Sequence, residues 1–176
     1  TRKAQDIEHM LEQSVKAALQ SYPIKTNETQ VLEIPVCYEE SFALDMLKVC
    51  EETGKSAAEI IQLHTEPTYE VMMMGFVPGF PYMGILPAEL HTQRKAIPRQ
   101  AVPPGSVAIA GNQTGIYPLA TPGGWNIIGC TPLPLIQLHQ QPNFLFAPAQ
   151  KIVFKSISRT SFDAYVQHTS QPNPLN

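Results

Sequence analysis

The sequence predicts a mainly β domain, a sandwich or a closed barrel, with helices at its flanks. From Tyr69 to Ile157, short segments of strand character recur between Gly, Pro and Asn turns, the spacing expected of such an architecture. Between Gly75 and Thr131 glycine and proline interleave with Phe, Tyr and Trp, which describes rigid, turn-rich walls with aromatic faces. A chain of 176 residues buries roughly 70% of its unfolded surface, enough for one sizeable core without disulfides or metal.

The elements follow in order. Ile7, Met10, Leu11, Val15, Ala18 and Leu19 recur at helical spacing behind Asp6, an N-cap residue, and Pro23 stops the helix, so 6–20 is read as amphipathic. Lys25 to Gln30 is a polar linker into a strand over 31–38, where Leu32, Ile34 and Val36 alternate with Glu33 and Pro35. The proline marks an edge or an end. Ser41 opens a helix over 42–52 with Leu44, Leu47 and Cys50 on one face, closed near Gly54. Ser56 and Glu59 form a capping box for a second helix at 57–64. Tyr69 to Phe76 alternates and then becomes apolar on both faces through Met72, Met73 and Met74, the pattern of a buried central strand. Further strands are expected at 107–110, 115–120, 125–129, 133–139 and 151–157. Ser161 to His168 has helical character, and Gln171 to Pro174 reads as a frayed end. The organisation expected is an N-terminal helix and linker over 1–30, the β domain over 31–157 and a C-terminal tail over 158–176.

Charge and cysteine usage narrow the function classes. A net charge of −3 with scattered Lys and Arg lacks the basic footprint of a nucleic-acid binder. Cys37, Cys50 and Cys130 are odd in number and carry no metal-ligand spacing, so they read as reduced, buried thiols. His91, His139 and His168 likewise have no companions, and no metal site is expected. The absence of a ~20-residue apolar run and of a signal-peptide core points to a cytoplasmic setting without a membrane partner.

Two catalytic motifs fail on inspection. Gly124 to Thr131 nearly matches a phosphate loop, but Cys130 replaces the lysine, and Pro132 and Pro134 forbid the helix that would follow. Ser106 has no His or acid arranged with it and no nucleophile-elbow motif around it.

Three blocks carry a more specific signal: Gly75-Phe-Val-Pro-Gly-Phe-Pro-Tyr-Met-Gly84, the stretch Pro98 to Pro118, and Thr121-Pro-Gly-Gly-Trp-Asn-Ile-Ile-Gly129. In this order they resemble subunit 1 of the allophanate hydrolase family, which includes the B subunit of bacterial 5-oxoprolinase and the sporulation kinase inhibitor KipI. The resemblance covers about Val31 to Ile157. It implies a cyclophilin-like closed β-barrel with flanking helices, working beside a homologous second subunit, and the segment 1–30 as the remnant of a small N-terminal domain.

The resemblance also gives the candidate residues a context. Phe76, Pro78, Gly79, Phe80, Pro81, Tyr82, Tyr117 and Trp125 are expected on one concave substrate-binding surface, joined by Gln113 and Thr114. Turn duty for Asn112 to Gly115 is the competing reading of those two polar residues. The substrates implied bear carboxylates and ATP bears phosphates, so within the cationic group Arg94, Lys95 and Arg99 the candidate clamp is Arg99; solvated surface is the alternative. His64, at the end of the second helix, is either an imidazolium favoured by the helix C-terminus or a proton carrier or ligand donor at the barrel mouth.

Three functions compete at this point. The first is a subunit of an ATP-dependent 5-oxoprolinase, in which the B and C subunits together activate 5-oxoproline with ATP and a separate A subunit completes ring opening to glutamate. It implies a hydrolase subunit that is inactive alone and shares its active site. The second is a subunit of an allophanate hydrolase or urea amidolyase-like complex. The third is a KipI-like module whose aromatic groove grips a sensor histidine kinase. Prolyl isomerisation would rest on fold analogy only.

Overall fold

The structure is a computed structural model that describes residues 31–138 and 142–170; Gln137, Leu138, Pro142, Thr169 and Ser170 are described for their backbone alone. The helix expected at 6–20, the unit 1–30 and the end beyond Ser170 lie outside the described residues.

A seven-stranded sheet forms the body of the protein. In chain order its strands are β1 (Leu32–Val36), β2 (Thr68–Met74), β3 (Pro81–Gly84), β5 (Ser106–Ala110), β6 (Gln113–Ile116), β8 (Asn126–Cys130) and β11 (Lys151–Ser156). Their spatial order is β1-β11-β2-β3-β6-β5-β8. Only the β1–β11 pair is parallel; every other neighbouring pair in this sheet is antiparallel. The two outer strands meet where Cys37 N–H donates to Cys130 O at 2.8 Å and Cys130 N–H returns the bond to Cys37 O at 2.9 Å. That single bridge brings the sheet round to a nearly closed barrel. The mainly β barrel implied by the sequence is what the chain forms.

Two ribbons lie outside the barrel wall. β4 (Arg99–Val102) pairs with β7 (Thr121–Gly123), and β9 (Ile136–Leu138) pairs with β10 (Pro142–Phe144). The near match to a phosphate loop is strand β8 with its flanks, not a loop before a helix.

Three α-helices complete the described chain: α1 (Met46–Thr53), α2 (Ala57–Thr65) and α3 (Arg159–Ser170). α2 starts as its sequence dictates, with the Ser56/Glu59 capping box present in both directions. α1 starts later than expected and buries a different face. Residues 39–45 form turns, Met46 and Val49 face the core, and Leu47 is 75% exposed. The physical reason is Asp45, whose N–H donates to Ile127 O at 2.8 Å while its carboxylate accepts the Ile127 N–H at 2.8 Å. This double bond to β8 fixes the entry of α1 and overrides the periodicity of Leu44, Leu47 and Cys50. The C-terminus closes as read, with Gly54 at φ 68 donating to Cys50 O. The helical character read at 161–168, within the expected tail, is borne out as α3, which starts two residues earlier, and its Phe162 ring lies 4.4 Å from Phe42 over the Cys37–Cys130 seam. No helix among the described residues is long and apolar enough to cross a membrane.

Alternation along each strand separates two cores. Ile34 and Val36 of β1, Tyr69 and Val71 of β2, Met83 of β3, Val107 and Ile109 of β5, Ile116 of β6, and Ile152 and Phe154 of β11 face the interior, where Met46, Val49 and Ile60 of the helices join them. On the outer wall Phe80, Ala108, Ala110, Tyr117, Trp125 and Ile127 form a second cluster with Val102 of β4. β2 departs from its reading as a strand buried on both faces. A bulge between Val71 and Met73 breaks its alternation, and Met72 and Met73 are 59% and 51% exposed.

His64 lies inside the barrel, not at its mouth. Its Nδ1 is 2.8 Å from the Tyr38 hydroxyl and its Nε2 2.9 Å from Thr114 Oγ1, while Thr114 donates to Ala108 O at 3.3 Å. One proton arrangement satisfies every group: Tyr38 O–H donates to Nδ1, and Nε2–H donates to Thr114. The ring stacks on Phe154 at 4.4 Å, and burial pulls its pKa down to about 3. Both sequence readings, the helix-end imidazolium and the proton carrier at the mouth, are corrected by this placement: α2 ends against the barrel core, where no water solvates a charge. The same burial raises the phenols of Tyr38 and Tyr69 above their ordinary value.

A neutral buried histidine makes stability depend on acid. Above pH 6.5 the folded and unfolded chains both carry neutral imidazole; below it the unfolded chain takes up a proton that the folded chain refuses until about pH 3. Each pH unit in that window costs ~1.4 kcal/mol. Between pH 7 and pH 5 the wild type is therefore expected to lose about 2 kcal/mol more than the His64→Gln variant, read from urea midpoints of both proteins. Equal losses would show that this histidine is not held neutral.

Candidate functional site

The outer wall of β3, β6 and β8 carries a cavity of about 300 Å³, enclosed by the 75–80 turn, the 92–98 loop and the β4–β7 ribbon. Its aromatic walls are Phe76, Phe80, Tyr82, Tyr117 and Trp125. Phe80 is their centre, with its ring 4.9 Å from Tyr82, 5.1 Å from Tyr117 and 5.6 Å from Trp125, mostly edge to face.

Two glycines make this packing possible. Tyr82 pairs with Gly115 across β3 and β6, and a Cβ at Gly115 would stand 2.9 Å from the Phe80 ring. A Cβ at Gly123 would collide with the Tyr117 ring and hydroxyl. Close approach, not turn geometry, is what these positions require.

The rim is cationic. Arg94 lies over the Trp125 ring at 5.8 Å and Lys95 lines the wall beside Pro98, whereas among the described residues no carboxylate lines the cavity. Burial raises the Tyr117 phenol, offset in part by a hydrogen bond from the Trp125 backbone and by the charge of Arg94, so it is a neutral hydroxyl at pH 7.

A buried acid organises this rim from behind. Asp45 accepts Arg99 Nη1 at 2.6 Å and Nη2 at 3.0 Å in a fork, Lys95 Nζ at 2.7 Å and the Ile127 N–H at 2.8 Å. Burial alone would raise its carboxyl; Arg99, Lys95 and the Ile127 amide outweigh that and hold it below the usual carboxylate range. Next to it, the Asn126 side chain accepts Lys48 Nζ at 2.9 Å and donates to Thr92 Oγ1 at 3.1 Å and Gln93 O at 2.9 Å. Lys95 N–H donates to Gly124 O at 2.7 Å, so the 92–99 loop is tied along its length.

The structure thus brings together five of the residues expected at the site and separates the rest. Pro78 and Gly79 line an adjacent apolar groove that shares Phe76 with the cavity. Pro81 is buried at the start of β3 opposite Met74, and Gln113 begins β6 opposite Gly84; neither lines these two cavities. Thr114 points inward to His64. Only Gly111 and Asn112 turn the β5–β6 hairpin, so turn duty does not extend to Gln113 and Thr114. Arg99, expected to clamp an anionic substrate, has its fork occupied by Asp45 because a buried carboxylate demands the nearest bidentate donor. Asp45 itself was not singled out from sequence, since it fell inside the helix expected over 42–52; in the structure it stands at the N-cap position of α1 but makes no side-chain cap bond. Among the described residues no group of three or more His, Cys, Asp or Glu side chains is placed to hold a metal ion.

Comparison with known proteins gives the family context of this fold. Residues 2–146 match the family model described as carboxyltransferase domain, subdomain C and D. The chain is 41% identical over 141 residues to the B subunit of 5-oxoprolinase from Bacillus subtilis, a match covering 80% of this chain and 59% of that protein. To the B subunit of 5-oxoprolinase from Escherichia coli it is 46% identical over 127 residues, 72% of this chain and 58% of the relative. Among solved structures it is similar to a conserved uncharacterized protein from Pyrococcus horikoshii, with a TM-score of 0.71 and 39% identity over 75% of this chain and 61% of that one. The chain therefore spans less than two thirds of the length of each of these relatives.

Two substitutions test how the site is built. Arg99→Ala leaves the buried Asp45 with only Lys95 and one amide, and is expected to lower unfolding stability by about 2 kcal/mol at pH 7, read by urea denaturation. A loss near zero would show that the fork contributes nothing. Gly115→Ala forces the Phe80 ring away from β6 and is expected to cost ~1–3 kcal/mol; a crystal structure of the variant with Phe80 unmoved would refute that packing constraint.

Proposed function

The chain belongs to the carboxyltransferase domain, subdomain C and D family, alongside the B subunits of 5-oxoprolinase and the allophanate hydrolase subunit 1 proteins, and from that membership we propose that it is a subunit of an ATP-dependent 5-oxoprolinase. The single observation that supports this reading in the structure is the aromatic cavity with a cationic rim and no acid among the described residues. 5-Oxoproline is a five-membered lactam with one carboxylate. Aromatic walls suit the ring, and Arg94 suits the carboxylate, because no ion pair joins Arg94 to another described residue. At about 300 Å³ the cavity is at the small end for ligand sites. It fits one such ring rather than a nucleoside triphosphate, and ATP is assigned to the assembled complex.

The chain's own residues then bind, orient and exclude water. The rings dry the lactam, and Arg94 fixes its orientation, so that an attack on the ring carbonyl meets one geometry. No described residue at the cavity is a proton carrier near neutral pH: His64 is sealed in the core with its pKa near 3, and Asp45 is ion-paired. The groups that move protons and phosphate are therefore assigned to a homologous second subunit, and the chain alone is inactive in this reading.

Reconstitution tests it. ATP-dependent conversion of 5-oxoproline to glutamate is expected with this chain and the two candidate partner subunits together, and is expected to vanish when this chain is left out. Arg94→Ala is expected to raise KM for 5-oxoproline about tenfold or more, with kcat and the unfolding midpoint little changed. Full turnover without the chain would overturn the function, and a wild-type KM in the variant would remove Arg94 from substrate binding.

A further inference from the structure

The turn at the edge of the aromatic cavity carries a conformation that bulky side chains avoid. Phe76 has φ 67, and Val77 N–H donates back to Gly75 O at 2.8 Å. This i to i+2 bond makes 75–77 a γ-turn with a left-handed centre, the rare and strained form. Glycine would adopt it without steric cost. Core burial does not explain the phenylalanine, because the residue is 60% exposed and meets Phe80 only edge-on, with centroids 5.8 Å apart. Nor is the turn loose: Gly75 N–H donates to Phe80 O, and Phe80 N–H donates to Val77 O, both at 3.1 Å.

What the ring does is divide space. On one side is the aromatic cavity; on the other is an apolar groove of about 570 Å³ bounded by Val77, Pro78, Phe144, Phe146 and Pro148, and Phe76 lines both. A strained backbone that presents an exposed ring between two cavities marks a functional position more readily than a packing one.

We propose that Phe76 is the specificity-determining residue of the aromatic cavity. Held across its end by the left-handed turn, the ring limits the ligand to a single small ring bearing an anionic group and excludes one whose chain continues past residue 76 into the neighbouring groove. The proposal rests on the functional reading above for its ligand, 5-oxoproline; the excluded class is a 5-oxoprolyl dipeptide, in which a peptide bond and a second residue extend from the same ring.

Removing the ring with glycine also removes the strain, which separates a specificity role from a structural one. In the assembled enzyme, Phe76→Gly is expected to shift the kcat/KM ratio for 5-oxoproline over 5-oxoprolyl-alanine at least tenfold toward the dipeptide. The variant's Tm should stay equal to wild type or rise, and Phe76→Tyr should keep the wild-type ratio. An unchanged ratio in Phe76→Gly overturns the proposal, and so does a shifted ratio accompanied by a fall in Tm, which would mark a structural role.

A second readout is independent of turnover. Trp125 is the chain's single tryptophan and lies in the cavity, so its fluorescence reports occupancy directly. Titration of the wild-type chain is expected to show a response to 5-oxoproline and at least tenfold weaker binding of the dipeptide, with that difference lost in Phe76→Gly. If the assembly fails to turn over 5-oxoproline, the function falls, and this titration alone decides the role of Phe76. Selectivity that survives in Phe76→Gly, or a Trp125 signal that neither ligand perturbs, overturns the proposal.

Discussion

The Asp45 carboxylate is the interaction on which the site depends. Buried charge is costly unless it is paired and fully hydrogen-bonded, and at Asp45 the pairing comes from three separate parts of the chain. Its own backbone opens α1, Ile127 supplies an amide from β8, and Lys95 and Arg99 supply two cations from the loop and strand that roof the cavity. Thr92 is bridged to Gly111 and bonded by Asn126, and the Lys95 amide is bonded to Gly124. With residues on both sides of it tied down, Arg94 is the cation of this loop that meets the cavity outside any ion pair among the described residues, over Trp125, whereas Lys95 lines the wall paired to Asp45. An anion that no ligand touches thus selects which neighbouring cation remains for one.

The barrel wall imposes the second constraint. β5 and β8 are buried on both faces, so alternate residues must satisfy two environments at once: Val107 and Ile109 fill the interior while Ala108 and Ala110 floor the outer cluster. Small residues on the outer face leave depth for Phe80, Tyr117 and Trp125 to stand on the sheet, and Gly115 lets Phe80 lie against bare backbone. Phe80, Tyr82, Tyr117 and Trp125 are held by one another as well as by the sheet beneath, which fixes this part of the cavity wall.

This two-sidedness also explains what sequence could and could not disclose. Strands β1, β5, β8 and β11 were legible because their periodicity and turn signals agree, and the capping box of α2 was legible because it is local. β3, β4 and β7 were missed, since Pro81, Gly84, Pro122 and Gly123 read as turn residues; in the structure they are short pairings at a wall that the rings must approach closely. The aromatic half of the site was readable as composition, being dense in rings along one stretch. Its polar half was not, because the fate of Arg99 and His64 is decided by Asp45, 54 residues away from Arg99, and by Thr114, 50 residues away from His64. Long-range partners of this kind leave no trace in local spacing.

The same pairings restrict what the cavity can do chemically. A side chain that shuttles protons needs a pKa near ambient pH and contact with the reacting atom. The buried imidazole is hydrogen-bonded to Tyr38 and Thr114, and its pKa lies near 3; the buried carboxylate is neutralised by two cations; the Tyr117 phenol on the cavity wall stays protonated. What remains at the wall, beside the ion-paired Lys95, is Arg94 and five rings, two of them phenols, a set suited to recognising an anionic ring and drying its surroundings rather than to moving a proton. Binding energy of this sort accelerates a reaction only when it fixes the ligand against groups that do the chemistry.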